Sequence, residues 1–177
     1  MKTFAAIAIV LAVVVAGVLG YAATRPESFR IERSASIKAP PEKIFAQVND
    51  LKAWTAWSPW EKIDPALKRT YSGPQSGKGA AYAWEGNKDV GAGRMEITDA
   101  APPSRITIKL DFLKPFEVHN AAEFRFEREG DATRVTWAMF GPSPYLSKLM
   151  GLVFNMDRVV GGQFEQGLAN LKTITEK

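Results

Sequence analysis

Residues 146–171 read LSKLMGLVFNMDRVVGGQFEQGLANL, and this stretch decides how the chain folds. Apolar residues recur along it at intervals of three and four positions, which is typical of one face of an α-helix. The pattern predicts a single C-terminal helix of about 30 residues. Its apolar stripe consists of Leu146, Leu149, Met150, Val153, Phe154, Met156, Val160, Phe164, Leu168 and Leu171.

Three glycines, Gly161, Gly162 and Gly167, lie inside this predicted helix. Glycine in a helix interior costs about 1 kcal/mol relative to alanine. We therefore expect these positions to allow a close approach of another element or a kink.

The chain ahead of the helix has the period of two that is typical of β-strands. Loops rich in glycine, proline and small polar residues separate the apolar runs, so neighbouring strands are joined by short connections and the sheet is expected to be antiparallel. Six strands are predicted, at about 68–72, 80–85, 92–99, 105–113, 117–128 and 132–140.

A further strand and two short helices precede these six strands. The alternating stretch 29–38, FRIERSASIK, predicts the strand. A helix is expected from Pro41 to about Asn49, and a second short helix should end at Pro59. The order predicts an α+β fold in which an antiparallel sheet of about seven strands curves around the long C-terminal helix. Such an arrangement commonly leaves a hollow between the helix and the sheet.

Residues 4–23, FAAIAIVLAVVVAGVLGYAA, contain no charged side chain. A helix of this length spans roughly 30 Å, the thickness of a bilayer core. The run is longer than the core of a secretory signal, although Gly20-Tyr21-Ala22 resembles a cleavage site. We therefore predict an uncleaved anchor over 1–24, a cleaved signal being the alternative, and a ligand-binding domain over 25–177. We expect a single-pass protein of the cell membrane with this domain on the extracytoplasmic side.

Composition excludes several kinds of site. Without cysteine there are no disulfides or thiolate metal sites, and the single histidine, His119, makes a histidine-rich metal site unexpected. No phosphate loop, dinucleotide motif or nucleophile motif occurs. The net charge of +4 is modest and its basic residues are interspersed with acids, so no nucleic-acid partner is expected. We predict no metal and no cofactor.

Polar candidates for chemistry are few. Strand alternation places His119 on the polar face with Glu117 and Glu123, away from the hollow, unless a bulge over residues 119–122 turns the ring inward. Arg94 and Glu96 are expected to form a surface ion pair. In the C-terminal helix, Asp157 stands among apolar residues, so its carboxylate must reach solvent or a partner.

The stretch WTAWSPW, residues 54–60, concentrates three of the five tryptophans. Trp54 and Trp57 are three positions apart and share a helix face, which favours packing in the core. Trp60 follows Pro59, and we expect it to cover the open end of the hollow.

The chain from Phe29 to Lys177 resembles the helix-grip superfamily of START-like domains, specifically the bacterial polyketide cyclase/dehydrase-like proteins. The resemblance lies in IKAPPEKIFAQVNDLKAWTAWSPW at 37–60, in TYSG, GKGAAYAWEGN and VGAGRMEI between 70 and 97, and in FEQGLANLK at 164–172. Membrane-anchored N-termini are also usual among such relatives. The superfamily includes lipid carriers, hormone receptors and cyclases, so the resemblance implies a cavity for an apolar ligand.

In a helix-grip sheet, the apolar face is both core and pocket wall. The candidate ligand-binding residues are Trp57, Trp60, Tyr82, Trp84, Phe112, Phe126, Trp137 and Phe154. We expect a membrane-tethered module that binds a small apolar or amphipathic molecule, such as a lipid or an aromatic metabolite. The alternatives are a cyclase or dehydratase acting in the same cavity, and a structural domain whose own side chains fill the hollow.

Overall fold

A computed structural model describes residues 2–177, apart from the side chains of Lys2, Ala5, Ala6 and Ala8. The helices are α1 (Lys2–Ala23), α2 (Pro41–Asn49), α3 (Trp54–Trp57), α4 (Tyr145–Met150) and α5 (Met156–Thr175), with a 3₁₀ helix at Pro59–Lys62. The strands are β1 (Ser28–Ile37), β2 (Lys68–Ser72), β3 (Ala81–Glu85), β4 (Ala92–Ala101), β5 (Arg105–Lys114), β6 (Val118–Glu129) and β7 (Ala132–Pro142).

All seven strands form one antiparallel sheet in the order β1-β7-β6-β5-β4-β3-β2. Each strand from β2 to β7 pairs with its neighbour in sequence, as the short loops predict. The exception is β1, which pairs with β7, from Ser28 opposite Pro142 to Ile37 opposite Thr133. The predicted α+β fold, with seven antiparallel strands and two short helices between β1 and β2, is confirmed.

The connection after β1 lies over one end of the sheet. Pro41 occupies the first turn of α2, where its missing N–H costs no hydrogen bond. This helix buries Ile44, Phe45 and Val48. The next helix, α3, ends at Ser58, which has an extended backbone before Pro59, as expected for a residue that precedes proline.

The N-terminal segment forms helix α1, which contacts the rest of the chain at α4, where the Tyr145 hydroxyl donates a hydrogen bond to the Leu19 carbonyl at 2.9 Å. Among the helices of residues 2–177, none combines the length and apolarity that crossing a membrane requires. The predicted transmembrane helix is therefore not supported. Met1, the first residue of the predicted anchor, lies outside the described residues.

The predicted single C-terminal helix is wrong, because the structure divides it into α4 and α5. The chain leaves the helical path after Gly151 and restarts at Asn155, whose side chain caps α5 by accepting a hydrogen bond from the Arg158 N–H at 2.9 Å. An asparagine cap of this kind favours a new helix start over continuation. The apolar stripe is therefore split, and Val153 and Phe154 between the two helices are exposed.

Helix α5 packs on β1 and against α2, α3 and the 3₁₀ helix, and it buries Phe164, Leu168 and Leu171. Two of its glycines allow close approaches, as predicted. A Cβ at Gly161 would lie 2.2 Å from Arg33 Nη2, and a Cβ at Gly167 would lie 2.7 Å from Trp137 Cζ3. As Arg33 and Trp137 are placed, neither position has room for a Cβ.

Candidate functional site

A cavity of about 1020 Å³ lies between the inner face of the sheet and the helices α4 and α5. Every strand from β3 to β7 contributes side chains to its wall, together with the start of β1 and the 3₁₀ helix. The volume is at the upper end of the range for small-molecule sites, about 300–1000 Å³. Exposed apolar residues in its lining, including Phe116, Val153 and Phe154, mark the mouth.

Aromatic rings form much of the wall around Trp137 on β7. Trp137 stacks on Phe164 of α5, with ring centroids 4.3 Å apart and an interplanar angle of 14°. Trp60 meets Trp137 edge to face at 5.6 Å, and Trp84 meets Phe112 in the same manner at 5.9 Å. These edge-to-face and stacked contacts hold the rings in fixed positions. The wall is therefore an ordered apolar surface.

Most of the predicted site residues lie in the cavity wall. Those that line it are Trp60, Tyr82, Trp84, Phe112, Trp137 and Phe154. Trp54 lines it as well, although it is only 5% exposed and its indole N–H donates to the Val48 carbonyl at 2.9 Å.

Two predicted residues do not line the cavity. Trp57 is completely buried, and its indole N–H donates to the Gln47 carbonyl of α2 at 3.2 Å. Phe126 packs edge to face on Phe45, with ring centroids 5.6 Å apart. Both side chains lie in the layer between α2, α3 and the sheet, where the inner face serves as core. Strand and helix periodicity identifies the inner face but does not distinguish these two uses of it.

Sequence reasoning missed a polar group in the cavity wall. Glu61 follows Trp60 in the 3₁₀ helix, and only 6% of its side chain is exposed. Its Oε1 accepts a hydrogen bond from the Tyr82 hydroxyl at 2.7 Å, and its Oε2 accepts one from Arg69 Nε at 2.6 Å. Burial, together with the hydrogen bond to Glu61, raises the pKa of the Tyr82 hydroxyl, which therefore stays protonated. The glutamate stands in a polar run of sequence, and no local signal indicated its burial.

Asn120 is the second missed group. Alternation along β6 turns its side chain to the inner face with Ala122 and Phe124, and it lines the cavity. Its Oδ1 is buried without a hydrogen-bond partner among the described residues. The carboxamide packs on Gly141, where a Cβ would lie 2.3 Å from Oδ1. The inward position follows from counting residues along the strand, which was the available signal.

The other polar candidates lie outside the wall of the cavity or at its edge. His119 points away from the cavity, its side chain is 60% exposed, and its Nδ1 lies 2.7 Å from Asp111 Oδ1. The outward orientation predicted for this histidine is confirmed. Arg94 and Glu96 form the predicted surface ion pair at 2.8 Å.

The partner of Asp157 is Arg33, which alternation places on the inner face of β1 beneath α5. Arg33 donates to both carboxylate oxygens of Asp157, at 3.1 and 2.9 Å, and its Nε donates to Glu165 at 2.7 Å. These bonds attach α5 to β1. The hydrogen bonds from Arg33 lower the pKa of the Asp157 carboxyl.

Comparison with protein families identifies one match. The family described as "Polyketide cyclase / dehydrase and lipid transport" matches residues 28–176, the whole chain from β1 to the end of α5. The comparison with curated proteins finds no match.

Solved structures with the same fold are distant in sequence. Protein CV1439 from Chromobacterium violaceum is 13% identical, with 86% of this chain and 99% of that one covered and a TM-score of 0.59. The di-domain ARO/CYC protein BexL is 16% identical, with 87% and 52% covered and a TM-score of 0.63. Ara h 8.0201 is 10% identical, with 84% and 97% covered and a TM-score of 0.56. At these identities the likeness shows the shared fold.

Proposed function

This chain belongs to the polyketide cyclase/dehydrase and lipid transport family, and we propose that it binds an apolar or amphipathic small molecule in the cavity between the sheet and α5. The single observation that carries the proposal is the cavity of about 1020 Å³. A hollow filled by the protein's own side chains would not leave a volume of that size. Its aromatic wall suits a flat or flexible apolar body, such as an aromatic metabolite or a lipid chain.

The six predicted aromatic residues that line the cavity are proposed as ligand contacts: Trp60, Tyr82, Trp84, Phe112, Trp137 and Phe154. Burying apolar surface against them would supply about 25 cal/mol per Å². Five of these rings, all except Phe154, already contact one another, so they lose little conformational entropy when a ligand binds. Trp57 and Phe126 are proposed to act only through the core beneath this wall.

A cyclase or dehydratase activity is the second candidate, favoured by Glu61 and Tyr82. They are hydrogen-bonded to each other in the cavity wall, where a carboxylate and a hydroxyl could exchange protons with a substrate. His119 is not available for that role because it lies on the other face of the sheet. An enzyme of this kind would therefore depend on Glu61.

Native mass spectrometry of the full-length chain, purified from its host under mild conditions, tests the proposal. We expect a bound species with the mass of a lipid or an aromatic metabolite, which organic extraction releases. A matched sample of Trp60→Ala should retain less of it. A homogeneous ligand-free protein that also fails to bind any apolar probe would contradict the proposal.

We further propose that the chain works at the cell membrane, with the domain on the extracytoplasmic side. Helix α1 supports this, because its side chains from Ile9 to Tyr21 are mostly apolar and exposed. The hydrogen bond between Tyr145 and Leu19 holds α1 beside α4, and Ser147 and Lys148 of α4 line the cavity. A lipid surface at α1 would thus lie close to the ligand site.

A further inference from the structure

Two polar stations face the cavity from opposite sides of an apolar stretch of wall. One consists of the Glu61 carboxylate with its donor Tyr82, and the other is the Asn120 carboxamide. The strand register gives the distance between these two groups and identifies the residues that lie between them.

The register places four inner-face residues in one row across the sheet. Tyr82 pairs with Met95, Met95 pairs with Leu110, and Leu110 pairs with Asn120. Neighbouring strands lie about 4.8 Å apart, so three steps separate Tyr82 from Asn120 by about 14 Å measured along the sheet. Met95 and Leu110 fill the row between them with apolar surface, and all four side chains line the cavity.

The first station accepts hydrogen bonds. Each Glu61 oxygen receives one hydrogen bond from the protein, from Tyr82 or Arg69, which leaves lone pairs on both. Arg69 Nε pairs with Glu61 Oε2 at 2.6 Å. A ligand hydroxyl could donate to the remaining lone pairs, whereas a ligand carboxylate, which only accepts hydrogen bonds, could not.

The second station offers a hydrogen-bond donor. Asn120 Oδ1 is buried against Gly141, where a Cβ would lie 2.3 Å from it, and it is not accessible from the cavity. Asn120 lines the cavity, so the part of its carboxamide that a ligand can reach is the amide N–H group. The oxygen of a ligand hydroxyl can accept a hydrogen bond from it.

Resting on the binding function proposed above, we infer that the ligand is an elongated apolar molecule with a hydroxyl group at each end. One hydroxyl donates to Glu61 and the other bonds to Asn120, while the body lies over Met95 and Leu110. This assignment makes Asn120 and Glu61 the residues that determine specificity along this row of the cavity wall.

The test compares decanol with the decane diol that carries a hydroxyl at each end. Both displace the fluorescent dye ANS from the full-length chain in a competition titration. In a purely apolar pocket the diol binds more weakly, because its second hydroxyl is buried without a partner. We expect the reverse order here, with the diol binding roughly tenfold more tightly, the scale of one added hydrogen bond.

Two variants test which residue binds each hydroxyl group of the diol. Asn120→Leu removes the carboxamide at similar volume, and we expect it to weaken the diol roughly tenfold while leaving decanol within about twofold. Glu61→Gln removes the charged acceptor, so it should weaken both probes. Asn120→Val serves the same purpose as Asn120→Leu if a thermal melt shows that the leucine variant does not fold.

The outcomes separate this inference from the proposed function. Decanol that binds more tightly than the diol overturns the inference, as does an Asn120→Leu variant that loses both probes equally, and in either case the binding function stands. Failure of both probes and of ANS to bind the folded wild-type chain contradicts the binding function itself.

Discussion

Arg33 passes so close beneath Gly161 that a Cβ on the glycine would lie 2.2 Å from Arg33 Nη2. The guanidinium has little freedom to move aside, because it donates hydrogen bonds to Asp157, to Glu165 and to the Glu32 carbonyl. The contact between β1 and α5 therefore depends on two residues. Gly161 of α5 leaves space because it has no side chain, and the long cationic side chain of Arg33 on β1 occupies that space.

Gly161 and Gly162 form a matched pair for testing this contact. Gly162 has no neighbour within 4 Å of an added Cβ, so Gly162→Ala should raise the free energy of unfolding by about 0.5–1 kcal/mol through helix propensity. Gly161→Ala should lower it, since the new methyl displaces Arg33 from its partners. Denaturant unfolding measures both. Equal stabilisation by the two substitutions would show that Arg33 moves aside without loss.

The Arg33–Asp157 pair predicts a pH dependence of stability. The pKa of Asp157 is lowered by its hydrogen bonds to Arg33. A carboxyl whose pKa is depressed on folding contributes stability above its unfolded pKa, about 3.9, and loses it as pH falls through the folded value. The Tm of Asp157→Asn should therefore lie below wild type at neutral pH, and the two should converge as pH falls below the unfolded pKa and through the lowered folded value. A difference that stays constant as pH falls through this range would argue against the ion pair as its cause.

Substitutions at Trp57 and Trp60 should have different effects on stability and on ligand binding. Trp57 is fully buried in the core, so Trp57→Ala should cost about 3–5 kcal/mol. Trp60 is partly buried in the cavity wall, so Trp60→Ala should cost less while weakening ANS several-fold. Thermal melts and dye titrations of both variants measure the two effects. Equal destabilisation with unchanged dye affinity in Trp60→Ala would assign Trp60 to the core.

His119→Ala should leave folding and ANS binding nearly unchanged, because the imidazole is exposed on the outer face of the sheet. Any turnover found for this protein should also survive the substitution. A folded variant whose turnover falls about 100-fold, the scale of general acid–base catalysis, would contradict the placement of chemistry inside the cavity.

Fractionation of host cells tests the proposed membrane location. Full-length protein should sediment with host membranes, and its N-terminus should retain Lys2. A deletion that starts at Pro26 should be released into the soluble fraction and should still bind ANS. Recovery of a mature protein beginning near Ala23 would instead identify α1 as a cleaved signal.

Periodicity in the sequence was sufficient to predict the strands of the sheet. All seven strands lie within about two residues of their predicted bounds, because alternating burial follows from the pleat itself. It was insufficient for the C-terminal helix, since an apolar stripe at helical spacing does not show where the backbone leaves the helical path. The local signal there was Asn155, a favourable cap in the middle of the stripe.

Only the apolar residues of the candidate site were predicted from the sequence. Aromatic residues on inner faces are visible in the sequence, and most of them line the cavity. Glu61 could not be predicted, because its burial depends on Arg69 of β2 and Tyr82 of β3, which contact it only in the folded protein. Arg33 interrupts the apolar face of β1 at a position that alternation marks as inner. An isolated charge at such a position is a signal worth following to its partner.

The pairing of β1 with β7 governs when this protein can fold during synthesis. Ile37 leaves the ribosome roughly 100 residues before its partner Thr133, so the first strand waits for almost the entire sheet. Until then the apolar face of β1 is exposed to solvent and its backbone N–H and C=O groups are unpaired, which favours association with other chains. Nascent chains that stop short of β7 should therefore aggregate.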